Sequence, residues 1–174
     1  MRKYLAFAFT LVLFVSGCAS SLTSDIDIES DIDPKIDFSG YESYTWLGSA
    51  AILYDPDGRW EPPDFDADAE IVFLIDRELR ARGLTEDSVN PDFVVVYAAG
   101  INMEMMKSEV DEESHETYLE NVPTGALSLM FIDTETRQVI WAARAIGDVQ
   151  NDPDRETTKK RLDYAVSQMI SKLP

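Results

Sequence analysis

The pattern of apolar and polar residues predicts two amphipathic helices in this chain. The clearer one lies near the C-terminus, where Leu162, Ala165, Val166, Met169, Ile170 and Leu173 recur at i, i+3, i+4 and i+7. This spacing predicts a helix over about residues 154–173, with Asp152-Pro153 as cap and first-turn proline. A second apolar stripe predicts a helix over residues 66–82, and Gly83 is suited to end it in the left-handed conformation.

Five segments have the composition of β-strands: residues 25–33, 41–47, 92–105, 126–132 and 139–148. The first alternates isoleucines with acidic residues, so it predicts a half-buried strand whose charged face protects a sheet edge. The third begins with an apolar run, which favours a central position in the sheet.

The segments between these elements have no clear period. Residues 48–63 read as a loop rich in proline and glycine, and residues 107–124 as an acidic connector. The resulting order is β-β-α-β-β-β-α. Two amphipathic helices each need an apolar surface, so we expect an α+β two-layer sandwich with a mainly antiparallel sheet and both helices on one face.

The N-terminus has the pattern of a secretory signal peptide. Arg2 and Lys3 precede an apolar run that is too short to cross a bilayer, and the run ends at Ser16-Gly17-Cys18. A cysteine at this point makes the segment resemble a bacterial lipoprotein signal, in which the thiol is acylated and the chain is cut before it. We therefore predict lipid attachment at Cys18, since two or more acyl chains give a stable membrane anchor.

The residue after the anchor bears on its destination. In the enterobacterial sorting rule, Asp at this place retains a lipoprotein at the inner membrane, and here the residue is Ala19. We therefore expect a periplasm-facing anchor in the outer membrane. The predicted organisation is a signal peptide over residues 1–17, a lipidated tether over 18–24 and a single periplasmic domain over 25–174.

Composition excludes some partners and constrains the fold. Loss of 17 residues from 174 leaves 157, with 13 basic against 33 acidic residues and a balance of −20. So negative a chain is unsuited to nucleic acid, whose phosphates require Lys and Arg. We interpret the charge as a solvated, repulsive surface rather than a cation site. Cys18 is the only cysteine, so no disulfide within the chain is available and its core alone must stabilise the fold.

Three segments resemble a bacterial lipoprotein family that is named for domain of unknown function 4136. These are residues 31–46, with Asp-x-Asp-Pro, Asp-Phe-x-x-Tyr and an aromatic strand; residues 75–84 followed by Pro91-Asp92-Phe93; and residues 132–141. In the last segment Arg137 stands where the family often has glycine, and Ala142-Ala143 replace an expected Arg-Gly. The resemblance implies an α+β envelope domain, and it implies no activity.

Candidate chemistry is sparse. The run Asp64-Phe65-Asp66-Ala67-Asp68 departs from a calcium loop, because Ala69 and Ile75 stand where glycine and a bidentate glutamate belong. His115, the only histidine, lies beside Ser114, and the chain has no nucleophile elbow. A Ser-His-Asp arrangement therefore depends on which side chains the fold brings together. We predict no enzyme activity, no metal and no cofactor.

Two groups of side chains leave alternatives open. Met103, Met105, Met106, Met130 and Tyr97 suit either a core or an adaptable binding groove, and we favour the core. Trp60 covers a core edge or belongs to a recognition patch. The leading hypothesis is a non-enzymatic binding or structural module that meets an envelope protein. The alternatives are a small-ligand or cation-binding module and, less favoured, a hydrolase.

Cys18→Ser should abolish lipid labelling and signal processing at this site, because a hydroxyl cannot form the thioether to diacylglycerol. Metabolic labelling of cells with radioactive palmitate, followed by capture of the chain, measures both. Labelling that survives the substitution would contradict the anchor.

Overall fold

Six strands form one mixed sheet, and both helices pack on the same face of it. The computed structural model describes residues 21–111, 113–150 and 152–174; the predicted signal peptide and Cys18 lie outside them. The helices are α1 (Ala67–Ala81) and α2 (Arg155–Ser171). The strands are β1 (Asp27–Ile32), β2 (Ser43–Tyr54), β3 (Thr85–Glu86), β4 (Phe93–Asn102), β5 (Met106–Val110), β6 (Thr117–Asn121), β7 (Thr124–Asp133) and β8 (Val139–Asp148).

The sheet has the order β1-β8-β7-β4-β2-β3, so β1 is at one edge. At the other edge β3 pairs with β2 only at Ser43 and Tyr44. The pairs β1–β8, β8–β7 and β7–β4 are antiparallel. The pair β2–β4 is parallel, because α1 carries the chain back across the sheet between them. The predicted α+β sandwich is confirmed, with two parallel pairs, β2–β4 and β2–β3, in a sheet whose other three pairs are antiparallel.

Local signals set both helix boundaries. The Asp66 carboxylate accepts a hydrogen bond from the Ala69 amide at 3.0 Å and caps α1. Gly83, at φ 86°, turns the chain after this helix, and the Leu84 amide donates back to the Leu79 carbonyl at 3.1 Å. The cap of α2 is Asp154, whose carboxylate accepts from the Thr157 amide at 2.6 Å. The expected cap, Asp152-Pro153, therefore precedes the real one.

The core is built on aromatic side chains from neighbouring strands. Phe131 of β7 lies 4.8 Å from Phe93 of β4 and 4.7 Å from Trp141 of β8, measured between ring centroids. Tyr44 of β2 stacks on Phe93 at 6.0 Å. All four are buried, and the apolar faces of α1 and α2 join the same cluster. Each such ring removes a large apolar area from water, so no disulfide is needed to stabilise a domain of this size.

Two segments that the sequence pattern assigns to loops are strands. β2 continues to Tyr54 instead of ending at residue 47, because its pairing with β4 continues in a shifted register after a bulge between Trp46 and Gly48. Residues 107–124 are not an irregular connector: β5 and β6 form an antiparallel hairpin, with Ser108 opposite Leu119. The predicted strand over residues 92–105 is correspondingly broken after Asn102.

The turn between β7 and β8 contains a residue in the left-handed conformation. Arg137 has φ 61°, a region that disfavours side chains with a Cβ. The Asp133 carboxylate accepts from the Thr136 amide at 2.6 Å, and the Arg137 amide donates to the Asp133 carbonyl at 2.9 Å. The turn therefore keeps the geometry that glycine suits, although the residue there is arginine.

Arg137→Gly should raise the free energy of unfolding by about 1 kcal/mol, because glycine adopts positive φ without the steric cost of a Cβ. Arg137→Ala is the matched control: it removes the same side chain but keeps the Cβ, so it should not stabilise the protein. Urea unfolding of the three proteins measures the difference. Equal stability of the glycine and alanine variants would contradict a strained turn.

Candidate binding surface

One end of the sheet carries a set of exposed apolar side chains, which we call the distal surface. The carboxyl end of β2 and the hairpin β5–β6 both lie there, since Tyr54 pairs with Asn102 at the end of β4, just before the hairpin. Leu119 is 68% exposed, Ile52 64% and Met106 51%. The distal surface comprises Ile52, Leu53, Tyr54, Met106, Tyr118 and Leu119. Consecutive side chains of a strand point to opposite faces, so this set lies on both faces of its strands. Exposed apolar groups in this number at one end of a sheet are typical of a contact surface for another molecule.

The hairpin is joined to the main sheet by specific contacts. The Val122 amide donates to the Met105 carbonyl at 2.8 Å, and the Asn121 side-chain amide donates to the Met103 carbonyl at 3.1 Å. Lys107 of β5 forms an ion pair with Asp148 at the end of β8. These bonds carry strand pairing across the break after Asn102, so the hairpin has a defined position rather than a free one.

The distal half of β2 is accessible to solvent on both faces. All eight residues from Leu47 to Tyr54 are exposed, although β4 pairs with them along one side. None of the twelve residues of β2 is charged. Exposed strand edges usually carry charge or proline to prevent pairing, and this one carries neither.

The only histidine lies at the tip of the hairpin and belongs to a turn. His115 has φ 58°, and its amide donates to the Asp111 carbonyl at 2.9 Å. The Asp111 carboxylate accepts from the amide of Ser114 at 2.7 Å, and this hydrogen bond lowers the pKa of Asp111. Asp111 is therefore bonded to backbone and stabilises a turn. The residues do not form a catalytic triad, which needs the carboxylate on the imidazole and the imidazole on the hydroxyl.

The acidic run before and within α1 is divided among separate partners. Asp64 pairs with Arg155 at 2.8 Å, Asp66 caps the helix, and Asp68 accepts from the Ser49 hydroxyl at 2.9 Å and from Tyr97. Burial and the contact with Asp68 raise the pKa of Tyr97 to about 12. Among the residues that the structure describes, no three His, Cys, Asp or Glu side chains converge as metal ligands would.

Asp76 is a buried carboxylate that the apolar pattern of α1 does not reveal. It is 9% exposed and accepts from the Tyr44 hydroxyl at 2.8 Å and from the Trp46 indole nitrogen at 3.1 Å. Arg80, one turn later, adds a hydrogen bond at 3.2 Å. Burial, and then Asp76 itself, raise the pKa of Tyr44. The group ties α1 to β2, and its polar atoms are occupied by protein.

The residues that carry the family resemblance lie at the opposite end of the sheet and also bond to one another. The Asp92 carboxylate accepts from the Ser43 amide and hydroxyl, each at 2.8 Å. The Tyr41 hydroxyl donates to Asp133 at 2.7 Å, and the pKa of Tyr41 rises to about 12, chiefly through burial. These motif residues therefore hold the ends of β2, β4 and β7 together, a structural role.

A cleft of about 580 Å³ lies near that end. Phe38, Tyr41 and Leu84 line it, with Leu173 close to the C-terminus. Its arginine, Arg82, donates to the Leu173 carbonyl at 2.9 Å. The cleft is large enough for a small apolar ligand, but its cation is already bonded to the backbone.

The methionines and Trp60 differ in how far they are buried. Met103 and Tyr97 are buried, as favoured, whereas Met105 and Met106 are exposed near the hairpin. Trp60 is half-buried, and its amide donates to Asp55 at 2.8 Å. Sequence reasoning thus missed most of the distal surface. The sequence carries no clear signal for it, because residues 106–110 and 117–121 show no regular alternation of apolar and polar side chains.

Comparison with known proteins gives a family and a fold. The model of a domain of unknown function, DUF4136, matches residues 28–174. A DUF4136 family protein from Bacteroides thetaiotaomicron is 10% identical, with 85% of this chain and 95% of that chain covered and a TM-score of 0.52. A PDZ domain protein from Parabacteroides distasonis is 14% identical, with a TM-score of 0.51. The match covers 86% of this chain and only 37% of that longer protein.

A third solved structure is less similar. This minor lipoprotein from Acinetobacter baumannii is 8% identical over 76% of this chain and 89% of its own, with a TM-score of 0.31. No curated protein matches the chain. Within residues 21–111, 113–150 and 152–174, no helix has the length and apolar character to cross a membrane.

The start of the described chain is bonded to α2 through Asp25 and Arg161. Arg161 donates to both carboxylate oxygens of Asp25, at 2.7 and 2.6 Å, and to the Leu22 carbonyl. The Asp148 amide donates to the same carboxylate at 2.8 Å. These contacts, with the Arg161 hydrogen bonds foremost, hold the pKa of Asp25 below its usual value of 3.8.

Asp25→Asn should lower the free energy of unfolding by about 1–3 kcal/mol at pH 7, because it removes charge-assisted hydrogen bonds. A lowered folded-state pKa stabilises the protein above the unfolded pKa of about 4, and this contribution is lost as pH falls through the folded value. The gap between wild type and variant should therefore be full above about pH 5 and shrink below pH 4. Urea unfolding across this range measures it. The control is Asp27→Asn on exposed β1, for which a comparable loss would contradict the assignment.

Proposed function

Because the chain belongs to the DUF4136 family, whose name assigns no activity, we propose a function from its own residues: a non-enzymatic, protein-binding module of the cell envelope, anchored by lipid at Cys18 and facing the periplasm from the outer membrane. The observation that carries the binding role is the distal surface, where large apolar side chains stay exposed on ordered strands. An apolar surface of this kind gains free energy when a partner covers it.

The anchor and the charge of the chain support this proposal. Ser16-Gly17-Cys18 matches a lipoprotein processing site, and Ala19 lacks the acidic group of inner-membrane retention. A balance of −20 in the mature chain opposes contact with anionic lipid, so a protein partner suits the distal surface better than the membrane itself.

Two carboxylates that could serve a hydrolase, Asp76 and Asp111, are both bonded to groups of the fold, which favours binding over hydrolysis. Asp76, the buried carboxylate, bonds to Tyr44 and Trp46, and Asp111 bonds to its own turn. A general acid or base needs a proton-accepting atom that faces a space for substrate. Both carboxylates are instead occupied by groups of the fold.

The cleft supports a second candidate, a module for a small ligand. Its lining combines apolar side chains such as Phe38 and Leu84 with the polar Asp37, Ser39 and Arg82, and its volume of about 580 Å³ is typical of ligand sites. The favoured proposal remains the distal surface, because its side chains are exposed without the closure that a small-ligand site usually has.

A photoreactive amino acid at Leu119 should give a discrete adduct in living cells, and this adduct should be recovered in the outer-membrane fraction. A covering partner brings reactive groups within reach of Leu119. Met106→Asp should reduce the adduct at least tenfold by placing charge on the same face of the hairpin, since Met106 pairs with Asn121, two residues from Leu119. The matched control is the photoreactive residue at Glu156, an exposed position on α2. No adduct from Leu119, or the same adduct from both positions, would contradict a binding role for the distal surface.

A further inference from the structure

The two edges of the sheet differ in charge, and this difference points to a partner. β1 carries Asp27, Glu29 and Asp31 in six residues, as a protected edge strand does. β2 carries no charge in twelve residues, a composition it shares with the central strand β4. An uncharged strand in an acidic chain suits a position with a neighbour on each side.

The second neighbour of β2 is absent for most of its length. β3 pairs with Ser43 and Tyr44, and no other strand in the described part of the chain pairs with that side of β2. The bulge between Trp46 and Gly48 shifts the register of the β2–β4 pair and divides β2 into two parts. Residues 49–54 follow the bulge and extend beyond β3, so on the side away from β4 they present an edge that no described strand covers, with backbone groups available to another strand.

We propose that residues 49–54 of β2 pair with the same segment of a second copy of this chain, in antiparallel orientation. This deepens the proposed function, on which it rests, by naming a partner. Pairing centred on Ala51 sets Ala50 opposite Ile52 on one face and Ser49 opposite Leu53 on the other. Each large side chain then faces a small one, an arrangement that allows close cross-strand packing.

For pairing between two copies of the chain, charge favours the β2 edge over the β1 edge. The formal charge of the chain is −18, so two copies repel wherever their acidic surfaces meet. β2 is the sheet edge at which no carboxylate of the strand opposes another, whereas pairing through β1 would bring Asp27, Glu29 and Asp31 together. Like charges opposite each other on strands are destabilising.

Symmetry and anchoring make the assembly closed and favourable. Antiparallel pairing of identical segments has two-fold symmetry, so one contact uses the free β2 edge of both copies. The outer edges of the joined sheet are then the two acidic β1 strands, which stop further growth. Lipid anchors restrict both copies to one membrane surface, which raises their effective concentration.

The test is a single cysteine on the proposed two-fold axis. Ala51→Cys in the full lipidated chain should form a disulfide-linked dimer in cells under mild oxidation, because opposed Cα atoms in an antiparallel pair lie about 4.5–5.5 Å apart, within disulfide range. The matched control is Ser30→Cys on β1, an exposed strand position at the other edge, which should stay monomeric. Ile52→Glu in the Ala51→Cys background should reduce the dimer at least tenfold and leave the unfolding temperature unchanged, since Ile52 is exposed.

Other outcomes overturn the proposal. An Ala51→Cys thiol that reacts freely with maleimide without forming a dimer shows an uncovered edge. A thiol that is blocked but forms no dimer shows that another molecule covers β2. Equal dimer from Ser30→Cys shows random collision.

The chain without an added cysteine, here called the parent chain, is a further control that separates this inference from the proposed function. It should give no dimer, because Cys18 is held in a thioether. A parent dimer would show a free Cys18 and contradict the anchor, and the Ala51 test is then read in the Cys18→Ser background. Loss of the Ala51 dimer together with a retained Leu119 adduct overturns the β2 pairing alone.

Discussion

The contact between Phe93, Phe131 and Trp141 is the interaction on which this fold depends. Their rings lie within 4.8 Å of the next one and connect β4, β7 and β8 on the face that both helices cover. In a chain without an intrachain disulfide, such burial must offset the conformational entropy of the whole domain. The polar motifs at the ends of the strands add alignment to this core. Tyr41 and Asp133 fix where the aromatic strands begin and end, so the same rings meet in register.

The order of the strands leaves the sheet with two edges that differ in charge. The helix α1 returns the chain so that β4 lies beside β2 in parallel, and β2 is therefore pushed outward with only a two-residue neighbour, β3. β1 is added at the far side, against β8. The first strand of the domain and the second thus lie at opposite edges of the sheet, although only ten residues separate them in the chain. An acidic edge faces one direction and an uncharged edge the other.

The sequence pattern predicts those parts of the fold in which a single physical requirement dominates. The period of α2 and the apolar run of β4 each follow burial, and both were predicted. Asp76 was not, because an acidic residue at a core position is explained only by Tyr44 and Trp46, which are distant in the chain. The hairpin β5–β6 was missed for the opposite reason: its residues are largely exposed, so no buried face imposes a period. The end of β2 depends on a bulge and on pairing with β4, neither of which is a local signal.

The same reasoning explains why the exposed surfaces, rather than the buried groups, carry the functional argument. Asp76, Asp92 and Asp133 each accept three hydrogen bonds from groups of the protein, and those hydrogen bonds leave them unsuited to act on another molecule. The distal surface exposes apolar side chains, and the β2 edge exposes backbone hydrogen-bonding groups. A binding module of the proposed kind meets partners through surfaces that its own fold leaves unpaired. On this chain such surfaces lie at the uncharged edge and end of the sheet, while acidic side chains keep β1 solvated.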